Sequence, residues 1–318
     1  MAEAIELMKV AFAELSAGRA VSPLRTVIEV NADPSSMLVM PAYVPAASAL
    51  GLKVVSFFGG NPTRGLPTIH ALVCLIDHET GTPLGVMEGG YLTALRTGAV
   101  SGAATDLLAR PDARVAVVIG AGVQGVTQAA AVCAVRPIER VIAVDVRPES
   151  LERFEEAVRR DWPEIAGRVE TTTDAGVAVR VADVVCTATT SRAPVFEDAD
   201  VRPGTHINAV GAFTPEMQEI PASTVKRATV VVDAVEAALA EAGDLIIPLR
   251  DGTIDRGHIA RELGMVAAGS VPARTSADEI TLFKSVGNAV QDVVVARRAV
   301  DRARELGIGV EVDLGAAG

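Results

Sequence analysis

Residues 115–125 read VAVVIGAGVQG, a β-branched run that ends in Gly120-x-Gly122-x-x-Gly125. A helix-like stretch, Val123 to Val135, follows, and the first acid to close the next apolar run is Asp145, 20 residues past the last glycine. Strand, glycine turn, helix and acid in this order form a dinucleotide-binding βα unit. Gly120 allows the tight turn, Gly122 lets the backbone approach a pyrophosphate, and Gly125 lets helix and strand pack closely. Val123 and Gln124, with Gly125, begin the helix and offer free N–H groups to the anion. A carboxylate at Asp145 bonds ribose hydroxyls and repels a 2′-phosphate, which favours NAD(H). Arg147, two residues on, supplies a cation that keeps NADP(H) open. The other reading of Asp145 is a cap for the helix that starts near Pro148.

About a third of the 318 residues precede this unit, enough for a separate substructure. The chain is 49% hydrophobic and 22% charged, and no run of 18 residues is uninterruptedly apolar, so it reads as soluble and globular. The first 18 residues lack a basic region followed by an apolar one and a cleavage site, so secretion is not expected. They fit an amphipathic helix instead, with Ile5, Met8, Phe12 and Leu15 on one face and Gly18 as its stop. A formal charge of −11 argues against nucleic acid or an anionic membrane as partner. Cys74, Cys133 and Cys186 lie in apolar segments without CxxC spacing, and are expected to be buried, reduced thiols of a cytoplasmic protein. His70, His78, His206 and His258 are scattered, so no metal site is expected.

Before the glycine turn, short strands are expected at Thr26–Val30, Ser36–Tyr43, Leu50–Phe58, Ile69–Asp77 and Pro83–Glu88. Turn clusters such as Asn31–Pro34 and Gly59–Pro62 separate them. The pattern is that of a mostly antiparallel sheet. Tyr91–Arg110 turns helical, and Pro111-Asp112 breaks it. After Asp145, a helix at Leu151–Arg160 and strands at Asp183–Thr187, Thr205–Ala209 and Val230–Asp233 imply a parallel, doubly wound sheet. A last helix is expected over Val286–Leu306, either capping that sheet or returning to the first one. The fold class is therefore α/β: a Rossmann doubly wound parallel sheet plus a strand-rich α+β part.

Three further stretches carry a family resemblance. They are Gly51-Leu-Lys-Val-Val55 with Leu66-Pro-Thr-Ile69, Leu92-Thr-Ala-Leu-Arg-Thr-Gly98, and Glu279–Gly287 with Gln291-Asp292. With the glycine turn they resemble the ornithine cyclodeaminase/μ-crystallin family over nearly the whole chain, with an amino-terminus shorter than is usual there. The resemblance implies a substrate-binding and dimerisation domain made of residues 1–110 and 286–318. A Rossmann domain, 111–285, is inserted in it, and a homodimer is joined through the strand-rich part. The family includes cyclodeaminases, alanine dehydrogenases, cyclic ketimine reductases, opine-type dehydrogenases and a hormone-binding crystallin.

Arg25, Lys53 and Arg96 are the candidate cations of the cleft. A guanidinium matches a carboxylate bidentately, so Arg25 and Arg96 suit a substrate α-carboxylate. A lysine in a dry cleft beside other cations becomes a better acid, so Lys53 suits proton delivery. Matching positions serve these roles in the family. Plainer readings remain: a surface arginine for Arg25, pairing of Arg96 with an acid such as Glu88, and Lys53 snorkelling from a strand edge.

Asn208–Glu219 discriminates among the family's activities. In cyclodeaminases the corresponding loop carries an Asp two residues before its proline and a Lys two after, where this chain has Phe213 and Met217. Without that acid, cyclodeamination of ornithine is expected to be absent or very weak. Phe213 and Thr214 suit a substrate whose nitrogen is already in a ring, the alternative being that Phe213 packs in the core or on the cofactor. The expected activity is NAD(P)H-dependent reduction of a cyclic α-imino acid, Δ1-pyrroline-2-carboxylate or Δ1-piperideine-2-carboxylate, to L-proline or L-pipecolate. The alternatives are an alanine or opine-type dehydrogenase acting on an acyclic imino or amino acid, and a non-catalytic nucleotide-binding protein. Ala188, Thr189, Val210, Gly211 and Gly287 are candidate cofactor neighbours at strand ends, though packing alone also explains such small residues. Glu197, Asp198 and Asp200 read as a solvated loop.

Overall fold

Period-two burial over residues 35–76 builds the first of two sheets. The computed structural model describes residues 1–31 and 35–313. Residues 32–34 of the expected Asn31–Pro34 turn cluster and residues 314–318 of the expected first domain lie outside the described residues. In chain order the elements begin with α1 (Ala2–Ser16), β1 (Thr26–Asn31), β2 (Ser35–Val44), β3 (Ala49–Phe58), β4 (Ile69–Ile76), β5 (Pro83–Glu88) and α2 (Gly89–Leu108). Next come β6 (Val115–Ile119), α3 (Val123–Val135), β7 (Arg140–Val144), α4 (Pro148–Asp161), α5 (Pro163–Ala166), β8 (Val169–Thr172), α6 (Ala175–Val179) and β9 (Val184–Thr187). The chain continues through β10 (His206–Ala209), α7 (Ala222–Arg227), β11 (Thr229–Val232), α8 (Val235–Glu241), α9 (Gly243–Arg250), α10 (Leu263–Ala267), β12 (Thr281–Lys284) and α11 (Ala289–Leu306).

Strands β1 to β5 form an antiparallel sheet in sequence order. Its register sets Met40, Lys53, Val73 and Met87 in one cross-strand row, and Pro41, Leu52, Cys74 and Val86 in the next, on the opposite face. The first row faces the core shared with α1, α2 and α11, where Phe12, Val100, Val290 and Val294 are buried. On the opposite face Leu72 and Val86 are exposed.

The second sheet is parallel, in the order β11-β12-β10-β9-β6-β7-β8. Its central strands β6, β9 and β10 are buried on both faces because helices cover both, and β10 carries the buried polar pair His206 and Asn208 among apolar neighbours. The strand order reverses between β6 and β9, which opens a crevice at their carboxyl ends. Two of its strands escape the sequence pattern. β12 lies between β10 and β11, although Ile280–Lys284 reads only as the approach to a helix. β8 is a short edge strand, VETT, without an apolar run.

Helix α11 packs on β2, β3 and β4 and on α1 and α2, so the chain returns from the parallel sheet to the antiparallel one. It starts three residues later than expected because Gly287, at φ +85, and Asn288 end the extended chain. Asn288 and Gln291 then close a reciprocal cap. Among the described residues no helix is long and apolar enough to cross a membrane.

Candidate active site

Lys53 points from β3 into the core beside α11, where its Nζ lies 2.8 Å from Asp292 Oδ2. The other carboxylate oxygen of Asp292 accepts from Arg96 Nε of α2 at 3.0 Å, and Gln291 Oε1 accepts from Arg96 Nη1 at 2.9 Å. Lys53 is 2% exposed and Asp292 fully buried. Burial first, then the positive charge of Arg96, pulls the Lys53 pKa down to about 8, while Asp292 opposes the fall. Lys53 therefore does not snorkel. Arg96 does not pair with Glu88 either, because that carboxylate caps α2 by accepting from the backbone N–H groups of Gly90 and Tyr91.

Arg25 enters from the other side. Its Nη2 donates to the carbonyls of Val286 and Gly287 at 3.0 and 2.9 Å, and lies 2.8 Å from Glu241 Oε2 at the end of α8. It is not a free surface arginine. Gly287 is the meeting point of the two guanidiniums: a Cβ there would stand 2.9 Å from Arg96 Nη1. The turn that presents it is pinned by Asp233, whose Oδ2 accepts from Ser285 Oγ and the N–H groups of Val286 and Gly287 at 2.8, 2.8 and 2.9 Å. A cavity of about 200 Å³ opens beside Arg25, lined by Ser22, Leu24, Met40, Glu236, Glu241 and Gly287 among others. Lys53 and Phe213 do not line it.

The glycine turn divides the labour of its three glycines. Gly120 has φ +103, and a Cβ on it would meet Ala188 O at 2.5 Å, so it is required by the crevice between β6 and β9. A Cβ on Gly125 would meet Gly120 O at 2.2 Å, which fixes the helix against its strand. A Cβ on Gly122 would meet nothing within 4 Å. That space lies at the amino end of α3, which no side chain caps, and the adjoining Gln124 Oε1 is buried without a hydrogen-bond partner among the described residues. Uncapped N–H groups and an open approach fit a bound pyrophosphate. Val123 is exposed there. Asp145 accepts from Ala121 N at 3.1 Å and Arg147 N at 3.0 Å, so its carboxylate bridges to the glycine turn, and α4 has no side-chain cap. Arg147 is mostly exposed, 3.6 Å from Asp145.

Glu219 organises the neighbouring strand ends. Its Oε1 accepts from Thr189 N and Oγ1, and its Oε2 from Thr187 Oγ1 and from the N–H groups of Gly211 and Ala212. Thr189 and Gly211 are thus tied to a buried acid, and a Cβ on Gly211 would strike Thr189 O at 2.3 Å. Burial and the nearby Asp244 push the Glu219 pKa up, and Lys284, 2.9 Å from Asp244 with both side chains fully buried, offsets this. Ala188 and Val210 are half-buried where β9 and β10 end. The loop held by Glu219 leaves Phe213 46% exposed and so out of the core, with Thr214 half-buried; Met217 is buried. Among the described residues no hydrogen bond or ion pair joins Phe213 or Thr214 to Lys53 or Arg96.

Four acids escaped the sequence reading. Asp292 had a signal, since a charge inside the apolar run Ala289–Ala296 needs a partner. Asp233 and Glu241 stand at strand and helix ends, and Glu219 in a loop, where an acid is ordinary. Asp198 and Asp200 are tied by Arg227 and Arg180 rather than simply solvated. Cys186 is buried with its pKa pushed up to about 12, whereas Cys74 and Cys133 are only partly buried. No group of three or more His, Cys, Asp or Glu able to hold a metal occurs among the described residues.

A sequence model of the ornithine cyclodeaminase/mu-crystallin family matches residues 1–307. The chain belongs to that family. It is 40% identical to a Δ1-pyrroline-2-carboxylate reductase of Bacillus cereus, covering 98% of this chain and 95% of that protein. Among solved structures, the Δ1-pyrroline-2-carboxylate reductase of Thermococcus litoralis, in complex with NADH and L-proline, superposes with a TM-score of 0.92 at 44% identity, over 98% of this chain and 96% of that one. An archaeal alanine dehydrogenase dimer with bound NAD superposes with a TM-score of 0.91 at 36% identity, over 99% and 95%.

Proposed function

We propose that this protein is an NADH-dependent reductase of a cyclic α-imino acid, Δ1-pyrroline-2-carboxylate or its six-membered homologue, giving L-proline or L-pipecolate. The observation that carries the reading is the convergence on Gly287 of Arg96 and Arg25, two guanidiniums suited to a carboxylate, with the Lys53 ammonium held beside Arg96 on the same Asp292. Relatives whose own substrate is Δ1-pyrroline-2-carboxylate support it.

In this reading Arg96 and Arg25 hold the substrate carboxylate, and the charged Lys53 donates the proton the ring nitrogen requires. When bound, NADH supplies the hydride. Gly122 and the amino end of α3, with Val123, Gln124 and Gly125, receive the pyrophosphate, and Asp145 receives the ribose. Gly120, Arg147, Ala188, Thr189, Val210, Gly211 and Gly287 frame the same crevice. The exposed Phe213 and Thr214 cover the apolar arc of the ring. With Phe213 in place of an acid and Met217 in the core, neither of the two discriminating positions offers a carboxylate to hold a side-chain amine.

Residues 1–110 and 286–318 form the substrate-binding and dimerisation part in this proposal, and 111–285 the dinucleotide-binding part. The homodimer joins through the sheet face that exposes Leu72 and Val86. Three free cysteines suit a cytoplasmic enzyme.

NADH oxidation with Δ1-pyrroline-2-carboxylate, Δ1-piperideine-2-carboxylate, pyruvate plus ammonia and pyruvate plus methylamine tests the reading. Turnover of the cyclic imines is expected to dominate. Faster turnover with pyruvate and an amine would replace it by an amino-acid dehydrogenase, and cofactor binding without turnover by a binding protein.

A further inference from the structure

Asp292 lies where three elements meet: Lys53 reaches it from β3, Arg96 from α2, and its own helix α11 carries it. Building on the imino-acid reductase reading above, we propose that Asp292 is a positioning residue of the reaction. Its two oxygens hold the Lys53 ammonium and the Arg96 guanidinium in one fixed relation and keep Lys53 charged for proton delivery.

The surroundings of Lys53 leave this task to Asp292. Met40 and Val73, its neighbours on β2 and β4, carry no charge. The charged groups that face it are Arg96 from α2 and Arg25 from the segment before β1, which both favour loss of its proton, and Asp292 from α11, which opposes it. A lysine buried among arginines without that carboxylate would be neutral and have no proton to give.

The same acid orients Arg96. With Nε committed to Asp292 and Nη1 to Gln291, the guanidinium plane is fixed, and Nη2 remains for a ligand beside Gly287. Gln291 Oε1 also accepts from Asn288 N at 2.8 Å, so the helix cap and the arginine share one amide and the cap sets the height of Asp292. Stability alone gives little reason for such a group, since well-packed apolar residues commonly match a buried ion pair. Its neighbours on α11, Val290, Val293 and Val294, show what this core otherwise takes.

The chain has four lysines, Lys9, Lys53, Lys226 and Lys284, so their side-chain NMR signals after ¹³Cε labelling can be separated, with Lys53→Arg identifying Lys53. The Lys53 titration midpoint in Asp292→Asn is expected to fall by about one pH unit or more from the wild-type value. The alkaline limb of kcat/KM should move with it, so that activity recovers on acidification, a response that mere loss of packing does not give. Asp292→Glu keeps the charge and should hold the midpoint within about 0.5 unit while lowering kcat. Should the Asn variant not fold, Asp292→Ser makes the same measurement. A midpoint that stays within about 0.3 unit of wild type in the neutral variant overturns the proposal. A midpoint that falls in a protein whose wild type reduces no cyclic imine sustains the hold of Asp292 on Lys53 and overturns the substrate reading instead.

Discussion

The guanidinium of Arg25 lies 2.8 Å from the Glu241 carboxylate, so a residue suited to bind a substrate carboxylate already holds one from its own chain. Burial and the nearby Asp233 push the Glu241 pKa up, and Arg25 opposes the rise. If Arg25 holds the substrate as proposed, the substrate competes with Glu241. Glu241→Gln is expected to lower KM for the imino acid several-fold with a smaller change in kcat, whereas Arg25→Ala raises KM by about 10- to 100-fold, the worth of a charge-assisted hydrogen bond. Steady-state kinetics on both variants check this; a raised KM in Glu241→Gln would remove the competition argument.

With Lys53 as the proposed proton donor, the reaction is expected to depend on pH in opposite senses for its two directions. Its pKa is lowered from 10.5 to about 8, so the charged form is present below pH 8 and lost as pH rises through it. Imine reduction should fall above about pH 8, and oxidation of the cyclic amino acid should rise over the same interval. Lys53→Met should reduce kcat for reduction by about 10²- to 10⁴-fold and abolish that limb. Rate profiles in both directions test the sign.

The glycines at 122 and 125 separate binding from folding. Gly122→Ala adds a methyl to open space and should leave Tm nearly unchanged while weakening NADH binding. Gly125→Ala drives a methyl against Gly120 O and should depress both. Thermal melts with and without NADH distinguish the two; equal loss of Tm in both variants would refute the distinction.

In the proposed reading Asp145 sets the cofactor choice. Wild-type kcat/KM should favour NADH over NADPH, and Asp145→Ala, which leaves the exposed Arg147 unopposed, should narrow or invert the ratio. A wild-type preference for NADPH would show that Arg147 outweighs the acid.

His206 gives the fold a pH limit. It is buried between Thr281 Oγ1 and Asn208 Oδ1, and burial lowers its pKa to about 3. The unfolded chain binds this proton near pH 6.5 and the folded one does not, so the stability of the neutral form is complete above that value. It declines as pH falls from about 6.5 toward 3, by up to about 1.4 kcal/mol per pH unit. Urea unfolding of wild type and His206→Gln between pH 7 and 4 measures the difference in slope.

The first sheet was legible because turn clusters cut its short strands apart, and the Rossmann unit because glycines, strand and acid stand in a fixed order. β8 and β12 were not, the first being polar at an edge and the second masked by the helix it leads into. In the site, the cations could be read from their unusual settings: a lysine in an apolar strand and an arginine in a helix of small residues. Which acids they pair with could not. Asp292 stands 239 positions beyond Lys53 and 196 beyond Arg96. No local pattern links residues so far apart, and the pairing exists only because α11 returns to the antiparallel sheet. Phe213 shows the reverse limit, since an aromatic residue in a loop gives no sign of which way it faces until Glu219 fixes the loop around it.

The four residues from Ser285 to Asn288 carry the chain out of one sheet and into the helix that belongs to the other. Asp233 grips them from below, Arg25 takes two of their carbonyls, and Arg96 lies against the missing side chain of Gly287. The joint between the two halves of the molecule is thus part of the pocket wall. Any rotation of one half against the other displaces both arginines' footing at once, so in the proposed reading the affinity for a carboxylate and the angle between the sheets are a single mechanical variable.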